Sequence, residues 1–284
     1  MTADEQVLDA RIYRSPNAMI RGVVICAHAM MVDMRTFERS GFASALAERG
    51  FVTFLFNFRG RGTNVTDAYS YAALVEYDVP AVLKRVRALY PDLPICWLGH
   101  SLGGHVGLAA AASGHFHHVD AIALISTNVW LPKLESSRRR RIQKTLGMML
   151  GKLCVTIMGT VPVVALKLGT VDESRIYLED LIGWWFADRW APDTVGLTYL
   201  ERLNGIEIPI LSVVGIDDKI AAHPEAARAF LEAFRPKNST FLLADEDWTS
   251  AKTPVDHMSL ITSRHATAGW TRLGDWIADT LQQA

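Results

Sequence analysis

The chain has 284 residues, half of them hydrophobic and 21% charged, a composition that excludes a disordered, collagen-like or coiled-coil protein. Lys and Arg number 29 against 30 Asp and Glu, for a formal net charge of -1, so no global field draws the protein to nucleic acid or to an anionic membrane. At roughly 150 residues per domain the length allows two units or one long α/β domain.

The amino end carries early acids and no apolar segment, so no secretory signal is expected. Cys26, Cys96 and Cys154 are scattered and form no CxxC pair, which favours a reducing compartment and a cytoplasmic location. No repeat at a period of roughly 20 to 50 residues is visible.

Along the chain, short apolar runs alternate with helical stretches. Residues 23–27 read as a strand, and residues 37–49 as a helix stopped by Gly50. Residues 52–58 form a second strand, and Pro80 opens the next helix in its first turn. Residues 95–98 form a third strand, followed directly by a small-residue helix over 102–112, and residues 121–125 form a fourth. Continuous apolar strands separated by helices predict an α/β fold, a mostly parallel central sheet with helices on both faces.

Between Trp130 and Asn204 the rhythm fails. Basic residues, long apolar helical stretches and the cluster Trp184-Trp185-Phe186 replace the strands. The alternation resumes with a strand over 210–214, a helix over 224–234, a strand over 240–243 and a last helix over 268–281. The expected organisation is a core of residues 1–129 and 205–284 with a helical cap, residues 130–204, inserted into it. The longest apolar run, residues 153–166, contains Pro162 and is too short to span a bilayer, so it is expected to be a buried helix or part of a lid.

The strongest chemical signal is Gly99-His100-Ser101-Leu102-Gly103. A bare G-x-S-x-G arises by chance in about one chain of this length in ten. Here it follows an apolar strand and opens a helix rich in glycine, the context of a strand-turn-helix elbow that exposes a serine hydroxyl at the carboxyl end of a sheet. Such a hydroxyl is a poor nucleophile and needs a base, itself oriented by a third group.

With that elbow, the chain resembles the α/β-hydrolase superfamily, in particular its bacterial serine-hydrolase members related to monoacylglycerol lipases and esterases. The resemblance also rests on His28-Ala29-Met30, Asn57-Phe58-Arg59-Gly60-Arg61-Gly62, Gly215-Ile216-Asp217-Asp218 and Asp256-His257-Met258, each in the family's order along the chain. It implies Ser101 as nucleophile and His257 as base, with His265 as the rival. Both Asp217 and Asp218 follow the strand over 210–214, and the family's spacing from the strand-ending glycine selects Asp218.

Backbone N–H groups of Met30 and Leu102 are the implied oxyanion donors. Ala29 and Asn57 depart from the glycine and aspartate usual in relatives, and Asn57 is expected to support its loop. Trp184 and Trp185 are expected to line an acyl pocket. The resemblance implies an ester or related acyl substrate of small size, hydrolysed through an acyl-enzyme. Acyl transfer, thioester cleavage and noncatalytic binding are the alternatives.

No phosphate loop, nucleotide fingerprint or metal cage appears, so neither cofactor nor metal is expected. His115, His117 and His118 read as surface histidines. Arg138 to Arg141 read as the solvated end of a cap helix, with contact to an anionic lipid surface as the alternative.

Overall fold

The computed structural model describes residues 1–63, 68–193, 195–249 and 253–283. Among them the strands are β1 (Ala10–Tyr13), β2 (Gly22–Ala27), β3 (Phe51–Phe56), β4 (Ile95–His100), β5 (Ala121–Ile125), β6 (Ile210–Gly215) and β7 (Ser239–Ala244). They form one sheet in the order β1-β3-β2-β4-β5-β6-β7. Only β1 is antiparallel to its neighbour; the other pairs are parallel.

The helices of the first half are α1 (Arg35–Arg39), α2 (Phe42–Glu48), α3 (Tyr71–Ala73), α4 (Val79–Leu89) and α5 (Leu102–Ala112). Those of the second half are α6 (Arg138–Met158), α7 (Arg175–Ala187), α8 (Tyr199–Arg202), α9 (Pro224–Ala233), α10 (Ser259–Thr262) and α11 (Thr267–Leu281).

The two-residue period of a strand sends alternate side chains to opposite faces. Val23, Ile25, Ile95 and Trp97 enter one apolar layer beneath α4, α5 and α9, whereas Val24, Cys26, Cys96 and Leu98 enter another against α1, α2, α10 and α11. Both faces are covered, which is why these strands read as unbroken apolar runs. β1 carries no such run. It is a largely exposed edge strand recognised only through its pairing with β3.

Two further features depart from the sequence expectation. Residues 37–49 hold two helices, because Gly41 adopts a left-handed conformation at φ 88° and the resulting turn brings both Phe37 and Phe42 into the same layer. The helix expected at Pro80 begins earlier, at the cap Ser70, whose hydroxyl accepts from Ala73 N–H. A π-turn over Leu74–Asp78 lies before α4, with Val79 N–H reaching Leu74 O. This wider turn makes room ahead of a proline that has no N–H to give and whose ring crowds the preceding turn.

Residues 130–204 contain a short turn over Pro132–Leu134 and then α6, α7 and α8, with no strand among the described residues. α6 meets α7 through Val155, Leu178 and Ile182. The run 153–166 is not a buried helix: Leu153, Ile157 and Leu166 are each more than half exposed.

The sheet order fixes where a ligand fits. β2 has β3 on one side and β4 on the other, so the strand order reverses between β2 and β4. In an open parallel sheet the crevice lies at the carboxyl ends of that pair. The loop after β2 starts at His28, and the turn after β4 holds Ser101.

Candidate active site

Ser101 has φ 51° and ψ -108°, a positive φ that is uncommon for any residue but glycine. Its N–H donates to Ile125 O at 2.9 Å, and Gly104 N–H returns to Ser101 O at 3.0 Å, clamping the turn. The turn is tight enough that a Cβ on Gly99 would lie 2.3 Å from Gly104 N, and one on Gly103 would lie 2.1 Å from Ala27 O. Glycine is required at both positions, and α5 is thereby drawn against β2.

Ser101 and His257 line the same cavity of about 410 Å³, with Met30, Leu102, Trp184 and Met258 among the other walls. His257 Nδ1 lies 2.6 Å from Asp218 Oδ2. An ionised carboxylate only accepts, so Nδ1 carries the proton and Nε2 is left as the basic nitrogen. Asp218 is buried. Burial alone would raise its pKa, but the His257 hydrogen bond and charge, with N–H bonds from Ala222 and Ile220, hold it below the ordinary carboxylate value. Ala222 N–H donates to Asp218 Oδ1 at 3.0 Å.

Asp217, the neighbouring candidate, faces another way. Its Oδ2 accepts from Val255 N–H at 3.0 Å, and its own N–H donates to Val255 O. It therefore ties the end of β6 to the segment that delivers His257. His265 is not among the residues lining the cavity.

Leu102 stands at the first position of α5, where leading N–H groups have no intrahelical acceptor. Met30 lies in the loop after β2, facing the same cavity. That loop is pinned from several sides. His28 donates from Nδ1 to Ala29 O at 2.8 Å, accepts at Nε2 from Phe58 N–H at 3.2 Å, and its carbonyl accepts from Gly103 N–H. Asn57 Oδ1 accepts from Met34 N–H at 2.9 Å, the loop support expected of it.

The loop is also held from the far side. Met31, at φ 64°, donates its N–H to Glu173 Oε1 at 2.5 Å, and its carbonyl accepts from Thr170 and Val171. Glu173 is itself paired with Arg61 and accepts from the Tyr69 hydroxyl at 2.6 Å. Arg61 and Glu173 are both fully buried as side chains. Burial alone would lower the Arg61 pKa, but Glu173, Tyr69 and Tyr177 raise it above its ordinary value. Arg61 and Glu173 are 112 residues apart, so local spacing carries no trace of the pair.

The two tryptophans part company. Trp184 lines the cavity and packs edge-on against Tyr71 at 4.6 Å. Trp185 is buried elsewhere and donates its indole N–H to Thr145 Oγ1 at 3.2 Å. Successive helical residues point about 100° apart, so one helix does not send both rings into one cavity. Near the surface, His115 Nε2 lies 2.8 Å from Glu76, and neither residue lines the cavity.

Three buried histidines make the site sensitive to acid. His28, His100 and His105 each have a pKa pushed down to about 3, by burial first, aided at His28 by Arg61 and at His100 by His257. His100 also joins its Nε2–H to His257 O at 2.9 Å, linking the end of β4 to the His257 loop.

Each of these rings is neutral when folded and gains a proton below about 6.5 when unfolded. The unfolded state therefore binds more protons between about 6.5 and 3, and stability falls as pH drops through that window. The slope approaches about 4 kcal/mol per pH unit for three such groups. Asp78 and Asp180, whose carboxyl pKa values are raised by burial, oppose this only nearer their own range. Urea titrations between pH 7.5 and 4.5 should show a steadily falling midpoint. A midpoint flat over that range would mean that these rings stay solvated.

A serine at a strand-helix elbow, facing a histidine-carboxylate pair across the crevice of a mostly parallel sheet, defines the class: the protein is an α/β-hydrolase. The chain belongs to the family described as serine aminopeptidase, S33, whose family model matches residues 18–248. Among curated proteins no relative matches the chain.

Among solved structures it is similar to a monoacylglycerol lipase from Paleococcus ferrophilus, at 15% identity and TM-score 0.63, covering 97% of this chain and 100% of that one. It is also similar to Est1E from Butyrivibrio proteoclasticus with ferulic acid bound, at 15% identity and TM-score 0.63, covering 97% and 96%. A protein of unknown function from Staphylococcus aureus gives TM-score 0.67 at 13% identity, covering 99% and 97%. At these identities the likeness is one of fold.

Proposed function

We propose that the protein hydrolyses an ester of a small, partly hydrophobic acyl or alkyl substrate through an acyl-enzyme on Ser101. The observation that carries this reading is the 2.6 Å contact between His257 Nδ1 and Asp218 Oδ2, with His257 and Ser101 facing one cavity. In the first half-reaction His257 Nε2 takes the Ser101 proton as Oγ bonds to the acyl carbon. The carbonyl oxygen becomes an oxyanion that accepts from the Met30 and Leu102 N–H groups. His257 then returns the proton to the departing alkoxide, and the carbon–oxygen bond of the ester breaks. In the second half-reaction water attacks the acyl-serine with the same base, releasing the acid and restoring Ser101. No cofactor enters this sequence.

Residues 130–204 act in this reading as a cap that shapes the acyl site. Support comes from Met148, Leu168, Tyr177, Leu181 and Trp184, which all line the cavity. The named activity of one fold relative, a monoacylglycerol lipase, also favours an ester over a peptide.

The test is a chain-length series of p-nitrophenyl esters run beside the corresponding amides and aminoacyl anilides. The reading expects turnover of esters with a preferred acyl length; turnover of the aminoacyl anilides alone would replace it with an aminopeptidase. Within the series, Trp184→Ala should move the preference towards longer acyl groups, because it removes a wall of the cavity. Trp185→Phe, which loses only the Thr145 bond, should leave the ranking unchanged. An unaltered ranking in Trp184→Ala would make that ring a packing residue.

A further inference from the structure

The outer surface of residues 130–204 is built against the usual rule for a surface helix. α6 turns Lys144 and Val155 inward, yet sends apolar side chains to solvent. Ile142, Leu146, Met149, Leu150, Leu153 and Ile157 are each more than half exposed. At 100° per residue these six fall within about 100° of one another, a single apolar stripe opposite the buried face. The following segment continues it with exposed Val164, Leu166 and Leu168. An apolar surface of this extent on a soluble fold marks an interaction site.

The charge pattern selects the partner. From residue 138 to residue 171 the chain holds Arg138 to Arg141, Lys144, Lys152 and Lys167 and no Asp, Glu or His, in a protein whose net charge is -1. Arg140 and Lys144 are neutralised by Glu135 and Glu225. Arg138, Arg139, Arg141, Lys152 and Lys167 remain exposed around the stripe. A second copy of the chain laid on this face would bring cations onto cations, whereas an anionic lipid surface offers both an apolar phase and negative headgroups.

We propose that this face of α6 and the segment after it is a docking surface for an anionic lipid–water interface, with the stripe immersed and the basic residues at headgroup level. Among the described residues no helix is long and apolar enough to cross a membrane, so the contact is one of lying on the surface. The geometry also gives docking a consequence. Leu168 is at once a wall of the Ser101 cavity and part of the exposed apolar ridge, so a docked molecule holds the cavity beside the lipid phase.

The experiment is co-sedimentation of the full chain with vesicles of phosphatidylcholine, with and without phosphatidylglycerol. It is run on the Ser101→Ala background, so the result is independent of any hydrolysis and of the proposed function. Expected is binding to the phosphatidylglycerol vesicles that weakens as salt screens the headgroups. Leu146→Ser/Leu150→Ser/Leu153→Ser should lower partitioning by roughly a hundredfold or more. Arg138→Glu/Arg139→Glu should lower it by about tenfold or more on anionic vesicles only.

All five side chains are exposed, so the variants should keep the parent's thermal midpoint. Failure to bind anionic vesicles, or equal binding by the serine variant, would overturn the proposal. A concentration-dependent dimer in sedimentation velocity that the serine variant abolishes would overturn it in favour of a second copy on this face.

Discussion

Asp218→Asn should lower ester turnover by about 10⁴-fold while leaving KM nearly unchanged. In the proposed mechanism the amide cannot balance the positive charge that His257 acquires on taking the serine proton, and its NH₂ group meeting Nδ1 favours the tautomer in which Nε2 carries the hydrogen and is no longer a base. Asp217→Asn should be mild by comparison, since its Oδ2 accepts a backbone N–H from Val255, a bond that an amide oxygen also accepts. His257→Ala should match Asp218→Asn or exceed it. Steady-state kinetics on one p-nitrophenyl ester, with urea midpoints to show that the variants fold, checks the ranking. The reverse order for the two aspartates would transfer the role to Asp217.

The second large effect belongs to Glu173. It holds the Met31 N–H from across the loop that carries Met30, so in the proposed mechanism it is a positioning residue for the oxyanion site and does not touch substrate. Losing one oxyanion donor typically costs about 10² to 10³ in kcat, and Glu173→Met, which takes away the Met31 acceptor, should approach that loss. It should also destabilise the fold by roughly 3 to 5 kcal/mol, because Arg61 is left as an unbalanced buried charge.

The two consequences separate in the variant Arg61→Met/Tyr69→Phe/Glu173→Met. Replacing a whole buried polar cluster by apolar groups of similar volume is often neutral or stabilising. The urea midpoint should therefore recover while kcat stays low, since Met31 still lacks its acceptor. Recovery of both would reduce Glu173 to a charge partner for Arg61.

Much of this arrangement is legible in the sequence where the signal is local. Ser101 is marked by its own neighbours, because a strand, a tight turn and a close-packed helix need glycine at fixed offsets. The parallel sheet shows as apolar runs because both of its faces are covered. Asp218 and His257 are named only by chain order within a family pattern, and Asp217 differs from Asp218 solely in where the backbone after β6 points it.

What sequence reading misses is tertiary. Glu173 meets Arg61 across 112 residues, and His100 meets the His257 carbonyl across 157, with no pattern linking either pair. Composition likewise expects Trp184 and Trp185 to act together, whereas the phase of α7 against the cavity divides them. The 153–166 run shows the same limit, since apolarity alone does not distinguish a side chain turned to the core from one turned outward.

The central claim is that Ser101 is an activated nucleophile, and the most direct measurement is the site of covalent labelling by a fluorophosphonate. Mass spectrometry of the folded protein after treatment should find one phosphonyl adduct, on Ser101, with labelling slowed in His257→Ala. An adduct on another residue, or none on folded protein, would contradict the account.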